Sequence, residues 1–319
     1  RNNTSLKFIY RNAIKGFTIN LPCHTAEAAF GDSDLILSME PDRVVSINKK
    51  PTDAGGGKGK NKTSSQTVSY GTVRVGGPQD GTGYTAWVID TGVDLNHKDL
   101  TVDAGRSFSV FSRDGADDKH GHGTHVAGII GAKDNSIGSL GVAPNTSIVP
   151  IRVLDRRGYG SVSGVIAGVD YVATNARAGD CVNMSLSGGI SASLDTAVLN
   201  ASNMTKAFFT LAAGNELDDA NNYSPARVNG EFVHTVSAID AYDNWAYFSN
   251  FGNPPVDYAA PGVNIFSLWK DGGTHTASGT SMAAPHACAV LMLTNGSASS
   301  DSTVNGDPDN HDDPIIHLP

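Results

Sequence analysis

The chain has 319 residues, of which 39% are hydrophobic and 17% charged, so we expect a mostly globular protein with one large domain or two smaller ones. Its formal net charge of −9 argues against a nucleic-acid-binding protein. No apolar run approaches the length that spans a bilayer. We therefore expect neither nucleic acid nor a membrane among its partners.

Residues 1–50 are predicted to form a small α+β unit. Residues 15–21, 35–39 and 43–47 are strand candidates, and residues 25–30 form a short helical stretch. The unit is too short to bury a sizeable core of its own. We expect it to pack against the residues that follow.

Two segments have the composition of solvated chain. Residues 51–64 are rich in Gly and Lys without apolar periodicity, which predicts a flexible linker and a domain boundary. Residues 295–319 are rich in Asn, Gly, Ser and Asp, which predicts an acidic, solvated tail. An Asp-rich calcium loop in that tail is the alternative, although its spacing fits no EF-hand.

Residues 65–294 are predicted to form an α/β domain with a mainly parallel sheet between helices, because short continuous apolar runs alternate with helical stretches. The strand candidates are residues 85–89, 148–154, 181–186 and 207–212. The helix candidates are residues 125–132, 163–176, 194–203 and 282–293. In such folds, functional sites collect at the carboxyl ends of the strands.

The three cysteines show no metal-binding spacing. Cys181 and Cys288 lie in apolar segments, so buried free thiols are the expected state. A disulfide between these two residues is the alternative, which the sequence leaves open.

Four polar residues lie where this fold carries chemistry. Asp90 ends one apolar strand, Asn215 follows another, His122 begins a small-residue helix, and Ser281 begins the last helix. Each alone has a structural explanation as a cap, a core histidine or a turn residue. Together they supply a nucleophile (Ser281), a general base (His122), the carboxylate that orients it (Asp90) and an oxyanion donor (Asn215).

The sequences around these residues resemble the signatures of subtilisin-like serine proteases, the subtilases. They are Val-Ile-Asp-Thr-Gly at 88–92, His-Gly-Thr-His-Val-Ala-Gly at 122–128, Ala-Ala-Gly-Asn at 212–215 and Gly-Thr-Ser-Met-Ala-Ala-Pro-His at 279–286. The resemblance covers about residues 65–294. It implies a three-layer αβα fold and serine endopeptidase activity through an Asp-His-Ser triad and an Asn oxyanion hole.

The resemblance also implies a substrate-binding edge and a specificity pocket. The residues that would form the two walls of the S1 pocket are Ser185, Leu186, Ser187 and Gly188 on one side and Ala212, Ala213 and Gly214 on the other. Ser187 stands where the family usually has glycine. The apolar walls predict a broad preference for apolar residues at P1.

A structural calcium site follows from the same resemblance. The implied ligands are the side chains of Gln66, Asp99 and Asn135 and the backbone carbonyls of Lys133, Ile137 and Ser139. All are oxygen donors, as calcium requires. A polar loop without an ion is the alternative.

Residues 13–17 and 39–45 resemble the inhibitor prodomain of subtilases, which has a ferredoxin-like α+β fold. The resemblance implies an intramolecular inhibitor whose last strand lies in the active-site cleft, and a secreted, monomeric, self-processing zymogen acting on proteins and peptides. Two alternatives remain: a relative that only binds peptides or inhibitors, and an esterase using the same triad.

Overall fold

The computed structural model describes residues 5–47, 65–309, 311 and 313–319. The predicted linker at residues 51–64 lies outside the described residues. The described helices are α1 (Cys23–Phe30), α2 (Tyr70–Arg74), α3 (His122–Gly131), α4 (Val162–Asn175), α5 (Ala192–Thr205) and α6 (Thr280–Leu293). Two short 3₁₀ helices lie at Ala104–Arg106 and Ala220–Asn222.

The first ten described strands are β1 (Ser5–Tyr10), β2 (Gly16–Asn20), β3 (Val44–Ser46), β4 (Thr67–Val68), β5 (Thr85–Asp90), β6 (Thr101–Val102), β7 (Phe108–Ser109), β8 (Ser139–Leu140), β9 (Ser147–Arg152) and β10 (Tyr159–Ser161). The other ten are β11 (Cys181–Met184), β12 (Ser187–Gly189), β13 (Phe208–Ala212), β14 (Tyr223–Ser224), β15 (Val233–Ile239), β16 (Val256–Pro261), β17 (Ile265–Trp269), β18 (Gly273–Ala277), β19 (Ser299–Thr303) and β20 (Pro314–His317). The predicted strands and helices of residues 65–294 are all present, with ends shifted by a few residues.

Ten strands form the central sheet in the order β19-β20-β16-β15-β13-β11-β5-β9-β6, with β7 beside β9. Every pair in this sheet is parallel except β19 with β20. Helices cover both faces, so the central strands are buried on both sides and have no polar alternation. The mainly parallel α/β sheet is therefore confirmed.

Strand β5 shows how the three layers are built. Ala86 and Val88 pack into one core with α3 and α6, and Trp87 and Ile89 pack into a second core with α4 and α5. Successive residues of a strand point to opposite faces of the sheet. The sheet thus separates two apolar cores, as the αβα expectation requires.

The N-terminal residues form a hairpin, a helix and a separate strand. Strands β1 and β2 pair antiparallel, α1 follows, and β3 pairs elsewhere. The strand predicted at residues 35–39 is wrong: Leu35 and Leu37 are 91% and 100% exposed and take no strand partner among the described residues. Two paired strands and one helix are less than a ferredoxin-like sheet, so that assignment stays a prediction.

The hairpin packs on α4, as expected for a unit without its own core. The Tyr10 hydroxyl donates to the Ser163 carbonyl at 2.9 Å, and Tyr10 is buried. The Asp170 carboxylate on α4 accepts the backbone N–H groups of Arg11, Asn12 and Ala13 at 3.1, 2.8 and 2.8 Å. A single carboxylate therefore holds the tip of the hairpin.

The solvated tail predicted at residues 295–319 is wrong. Strand β20 joins the central sheet beside β16, and β19 folds back on β20. Ile315 and Ile316 are fully buried, and the Leu318 N–H donates to the Val75 carbonyl at 2.9 Å. The short apolar run 315–318 completes the sheet despite its Asp-rich surroundings.

The expectation of two buried free thiols is also wrong. Cys181 on β11 and Cys288 on α6 form a disulfide, with their Cα atoms 5.6 Å apart. Cys23 is an exposed free cysteine. None of the described helices is both long and apolar enough to cross a membrane.

Candidate active site

The candidate residues gather at the carboxyl edge of the sheet. Strands β5 and β11 are parallel neighbours with Val88 opposite Asn183. Two residues further along each chain are Asp90 and Ser185, which therefore leave the sheet side by side. Ser281 reaches the same edge because α6 begins there and contacts Ser185.

Asp90 and His122 form a buried pair. Nδ1 of His122 lies 2.8 and 2.9 Å from the two carboxylate oxygens of Asp90. Asp90 is fully buried, and its charge is also held by the Thr91 N–H at 2.6 Å. A proton on Nδ1 shared with this carboxylate leaves Nε2 of His122 as the basic nitrogen.

A second buried carboxylate, Asp118, shapes the loop that presents His122. It accepts hydrogen bonds from the N–H groups of His120, Gly121 and Thr124 and from the hydroxyls of Thr91 and Thr124, at 2.6 to 3.0 Å. Asp118 was not among the predicted site residues. Its only signal was an acid four residues before His122, within a stretch that otherwise has the composition of an exposed loop.

Glycine is required beside the Asp90–His122 pair. A Cβ on Gly123 would lie 2.0 Å from the Gly92 carbonyl oxygen and 3.2 Å from Asp90. The first turn of α3 can therefore approach the end of β5 only without a side chain at this position.

Ser281 is the second residue of α6 and is 3% exposed. Its hydroxyl donates to the Ser185 carbonyl at 3.3 Å, and the Ser185 hydroxyl donates to the Ser281 carbonyl at 2.8 Å. Within the described residues, His122 and the Ser281 hydroxyl share no hydrogen bond. The structure thus forms two contacting pairs, Asp90 with His122 and Ser281 with Ser185. They lie at the carboxyl ends of the neighbouring strands β5 and β11.

Asn215 lies against the turn before Ser281. Its Oδ1 accepts the Thr280 N–H at 2.9 Å and the Thr280 hydroxyl at 3.0 Å, which fixes the amide orientation. The Nδ2 group has no acceptor among the described residues and lies 3.2 Å from where a Cβ on Gly279 would be. The Ser281 N–H, in the first turn of a helix, has no intrahelical carbonyl partner. Two donors are thus available beside the hydroxyl.

The predicted pocket walls present backbone rather than side chains. Leu186, Ala212 and Ala213 are fully buried in the apolar cores. Gly214 has a φ of 116°, and a Cβ there would meet Nδ2 of Asn250 at 2.1 Å. The two walls are therefore narrow backbone segments with small or inward-facing side chains.

Strand β3 lies between β10 and β12, which form the two edges of the candidate substrate cleft. It pairs antiparallel with β10, where Val45 is opposite Gly160, and with β12, where Val45 is opposite Gly188 and Ser46 opposite Ser187. Val45 is only 1% exposed, in the core between the sheet and α4 and α5. The chain's own residues 44–46 occupy the position of an added strand.

The predicted calcium ligands meet in one network. Nε2 of Gln66 donates to the carbonyls of Lys133 and Ser139, at 2.7 and 3.2 Å. Asp99 is 1% exposed, and the Ser139 N–H donates to its Oδ2 at 3.1 Å. Burial raises the pKa of Asp99 to about 6.

The two remaining predicted ligands close this network. Nδ2 of Asn135 donates to Oδ1 of Asp99 at 2.6 Å, and the Ile137 N–H donates to Oδ1 of Asn135 at 2.7 Å. The described residues contain no cluster of three or more His, Cys, Asp or Glu side chains suited to a metal. The set has a single carboxylate surrounded by amide and carbonyl groups, a hard-ligand composition.

The other two histidines of the motifs are buried and neutral. Nε2 of His125 hydrogen-bonds the Ile265 and His275 carbonyls at 3.1 Å, and burial lowers the pKa of His125 to about 3. Nδ1 of His286 donates to the Met282 carbonyl at 2.8 Å, and burial lowers the pKa of His286 to about 4. Both rings support the backbone.

A parallel sheet with an Asp–His pair and a helix-borne serine at its carboxyl edge is typical of the α/β serine hydrolases. A sequence model of the subtilase family matches residues 81–304. The chain therefore belongs to the subtilase family of serine-type endopeptidases. The match includes β19, which the sequence analysis assigned to the tail.

Individual proteins agree with this assignment. The alkaline serine exoprotease A of Vibrio alginolyticus is 43% identical over 298 residues, 89% of this chain and 52% of that protein. Proteinase T of Parengyodontium album is 44% identical over 256 residues, 78% of this chain and 82% of that protein. A crystal structure described as a cold adapted subtilisin-like serine proteinase matches with a TM-score of 0.68 and 40% identity, over 78% of this chain and 98% of that chain. The chain spans about half the length of the Vibrio relative.

Proposed function

We propose that this chain is a serine endopeptidase that hydrolyses peptide bonds with Ser281, His122, Asp90 and Asn215, and that it is a zymogen which cleaves itself. The observation that carries the proposal is β3. This segment lies antiparallel to both cleft edges. Its pairing with β12 advances from Gly188 to Ser187, so the chain is directed toward Ser185 and therefore toward Ser281. A chain segment held in this way is a bound peptide in the orientation of a substrate.

The reaction begins when the Ser281 hydroxyl turns from the Ser185 carbonyl to Nε2 of His122. The Ser281 oxygen forms a bond to the scissile carbonyl carbon while its proton passes to His122. Asp90 holds the imidazole and stabilises its charged form. His122 then protonates the departing amine as the C–N bond breaks, and water releases the acyl group by the same two steps.

The oxyanion is stabilised by the two donors beside Ser281. Nδ2 of Asn215 and the Ser281 N–H lie at the positive end of α6, a helix of 14 residues. Thr280 fixes Asn215 through two hydrogen bonds, so the donor is aimed before the charge develops. Such preorganised donors typically supply one of the larger contributions to acyl transfer.

The substrates are proteins and peptides, with a broad preference for apolar P1 residues. None of the seven wall residues carries a charge, which favours apolar over charged side chains at P1. The position of β3 favours extended peptides over simple esters as natural substrates. Comparing a peptide amide with an alkyl ester of the same P1 residue measures this preference.

Residues 5–47 act as the intramolecular inhibitor, since β3 fills the cleft and the hairpin is held by Asp170. The mature enzyme begins after cleavage between residues 48 and 66. The protein works as a secreted monomer, and the Cys181–Cys288 disulfide supports an oxidising compartment.

Calcium would be held by the side chains of Gln66, Asp99 and Asn135 and the carbonyls of Lys133, Ile137 and Ser139. The residues fit calcium, because the Asp99 carboxylate is buried, has a raised pKa and lies beside amide side chains and backbone carbonyls. Its two hydrogen-bond donors, Asn135 and Ser139, are both uncharged. The two amide side chains would present oxygen after rotation of the amide group. The ion would neutralise Asp99 and fix the loop 133–139 to the segment around Gln66.

The test is the intact mass of the full chain over time in calcium, for the wild type, Ser281→Ala and Ser300→Ala. We expect cleavage between residues 48 and 66 in the wild type and in Ser300→Ala, whose substitution lies on the exposed strand β19. Ser281→Ala should remain intact. Cleavage of a contaminant-free Ser281→Ala chain at the same rate would refute Ser281 as the nucleophile, and an intact wild type would support a binding-only protein.

A further inference from the structure

Each edge of the cleft runs directly into a long helix. Strand β10 is followed at once by α4, and two residues separate the end of β12 from the start of α5. Both edges are antiparallel to β3, so both helix N-termini face the residues upstream of β3. A peptide entering the cleft therefore passes between two positive helix ends before it reaches the site of cleavage.

Each helix caps only part of its own N-terminus. The Ser161 hydroxyl accepts the Gly164 N–H, and the Ser191 hydroxyl accepts the Leu194 N–H, both at 3.2 Å. These are the third N–H groups of α4 and α5. The earlier N–H groups have no intrahelical acceptor and need a partner from outside the helix.

On α4 the partner is Asp42, together with the adjacent backbone. The Ser163 N–H donates to Oδ1 of Asp42 at 2.9 Å, and the Ser163 hydroxyl donates to Oδ2 at 2.7 Å. The Val162 N–H donates to the Arg43 carbonyl at 2.9 Å. One carboxylate thus makes two hydrogen bonds to the helix end.

On α5 the partner is Glu40. Its Oε1 accepts the Ser191 hydroxyl at 2.5 Å and the Ser193 N–H at 3.3 Å. Asp195, in the first turn of the same helix, repels this carboxylate and is only partly balanced by Arg227 at 3.6 Å. The same kind of contact occurs on both helices, but it is weaker on α5.

We infer that the N-termini of α4 and α5 are subsites for acidic residues of substrates, three and five positions upstream of the residue that occupies the place of Val45. The inference rests on the proposed function and adds a substrate class to it. Once residues 5–47 leave, the donors on Ser163 and Ser193 lose their carboxylates while remaining beside the cleft. A substrate carboxylate at either position restores those hydrogen bonds.

The test uses the full chain after its self-cleavage in calcium is complete, diluted to nanomolar concentration. The acidic probe has the sequence of residues 40–47 followed by phenylalanine and a chromogenic anilide. The neutral probe replaces Glu by Gln and Asp by Asn, and the short probe keeps only the four residues before the anilide. We expect kcat/KM about tenfold higher for the acidic than for the neutral probe, mainly through KM, since each helix end favours a carboxylate by about three- to fivefold.

Two further comparisons identify the subsites. Replacing only Asp by Asn in the probe should lower kcat/KM more than replacing only Glu by Gln. The reason is that Asp195 repels the carboxylate of the Glu. Ser163→Ala should reduce the acidic-to-neutral ratio to about fivefold, since the hydroxyl contact is lost and the N–H contact to the Asp carboxylate stays. Thr174→Ala, at the far end of the same helix, is the matched control and should keep the full ratio.

The outcomes separate this inference from the proposed function. Equal kcat/KM for the acidic and neutral probes, with the short probe hydrolysed, overturns the subsites and leaves the protease intact. An unchanged ratio in Ser163→Ala also overturns the assignment to α4. Failure to hydrolyse the short probe overturns the proposed function and the subsites with it.

Discussion

The two helical layers of the molecule differ in how deeply they are buried. All ten residues of α3 and all 14 of α6 are buried, whereas ten of the 14 residues of α4 and six of the 14 of α5 are buried. The buried layer carries His122 and Ser281 in the first turns of its helices. The half-exposed layer carries the N-terminal hairpin and the residues upstream of β3. The proposed catalytic residues His122 and Ser281 therefore lie on fully buried helices, and the contacts to the N-terminal segment lie on helices with exposed residues.

Small residues make the buried layer possible. Helix α6 has alanine at 283, 284, 287 and 289, all fully buried. On α3, a Cβ at Gly128 would lie 2.4 Å from Oγ of Ser267. Close packing of this kind resists movement, because a shift of even one methyl group creates a clash or a cavity.

The largest effect should come from Asn215→Ala in the buried layer. We expect the rate of self-cleavage to fall about 10²–10³-fold, the size known for the corresponding asparagine of subtilisin, because the removed amide donates only to the developing oxyanion. Intact mass against time measures the rate. Asn203→Ala, an exposed asparagine on α5, is the control, and equal rates for both variants would exclude Asn215 from the oxyanion hole.

The next effect concerns the covalent link between β11 and α6. Replacing both Cys181 and Cys288 by alanine should lower the free energy of unfolding by about 3 kcal/mol, because the disulfide closes a loop with a sequence separation of 107 in the unfolded chain. Denaturant unfolding in a Ser281→Ala background avoids self-digestion. Cys23→Ser should change the value by less than about 0.5 kcal/mol, as an exposed substitution normally does. A loss no greater than this control would contradict the prediction.

A smaller, pH-dependent effect should follow calcium removal. Burial raises the pKa of Asp99 in the folded state to about 6, above its usual value of 3.8, so without calcium the folded state loses stability as pH rises from about 4 through 6. Calcium at the proposed site would bind the ionised form of Asp99 and remove this penalty. Chelation should therefore lower Tm by roughly 5 °C at pH 8 and by clearly less at pH 5.

The control for calcium is Asp99→Asn, whose Tm should respond little to chelation at either pH. The measurement is thermal unfolding by calorimetry in the Ser281→Ala background. A shift of Tm that is equal at pH 5 and pH 8 would show that Asp99 does not govern the site.

The smallest effect should come from Asp170→Asn in the half-exposed layer. The amide keeps the shape of the side chain but loses the charge-assisted bonds to the hairpin, worth about 1 kcal/mol. Amide hydrogen exchange at residues 11–13 should become about fivefold faster, while exchange in β5 stays unchanged. Asp32→Asn, an exposed acid in the same unit, should have no effect, and faster exchange throughout the molecule would argue against a local role.

The buried layer was the more predictable part from sequence. Continuous apolar runs such as 207–212 have one simple explanation, a strand covered on both faces, and Gly121 and Gly279 mark the sharp entries to α3 and α6 with φ of 120° and 150°. His122 and Ser281 follow those glycines by one and two residues and lie at the carboxyl edge of the sheet, and their catalytic roles stay predictions. Local sequence carries this information because a glycine with a positive φ precedes the first turn of each of these two helices.

The parts that sequence could not predict depend on partners far along the chain. The Cys181–Cys288 bond joins residues separated by 107 positions, and β20 becomes a strand only because β16 offers a free edge. In the sequence, the neighbours of Asp118 are typical of an exposed acid, and only the fold brings Thr91 into contact with its carboxylate. The contacts of Glu40 and Asp42 likewise exist only once both cleft edges are assembled.

The position of β3 has a consequence for the order of synthesis. A ribosome makes residues 44–46 before either cleft edge, and long before Ser281. A growing chain that has reached the nucleophile already carries the segment that fills its cleft. Under the proposed inhibitor role of residues 5–47, Ser281 is never present on a growing chain without the segment that fills its cleft, and neighbouring proteins would be shielded without a separate inhibitor having to diffuse to the site.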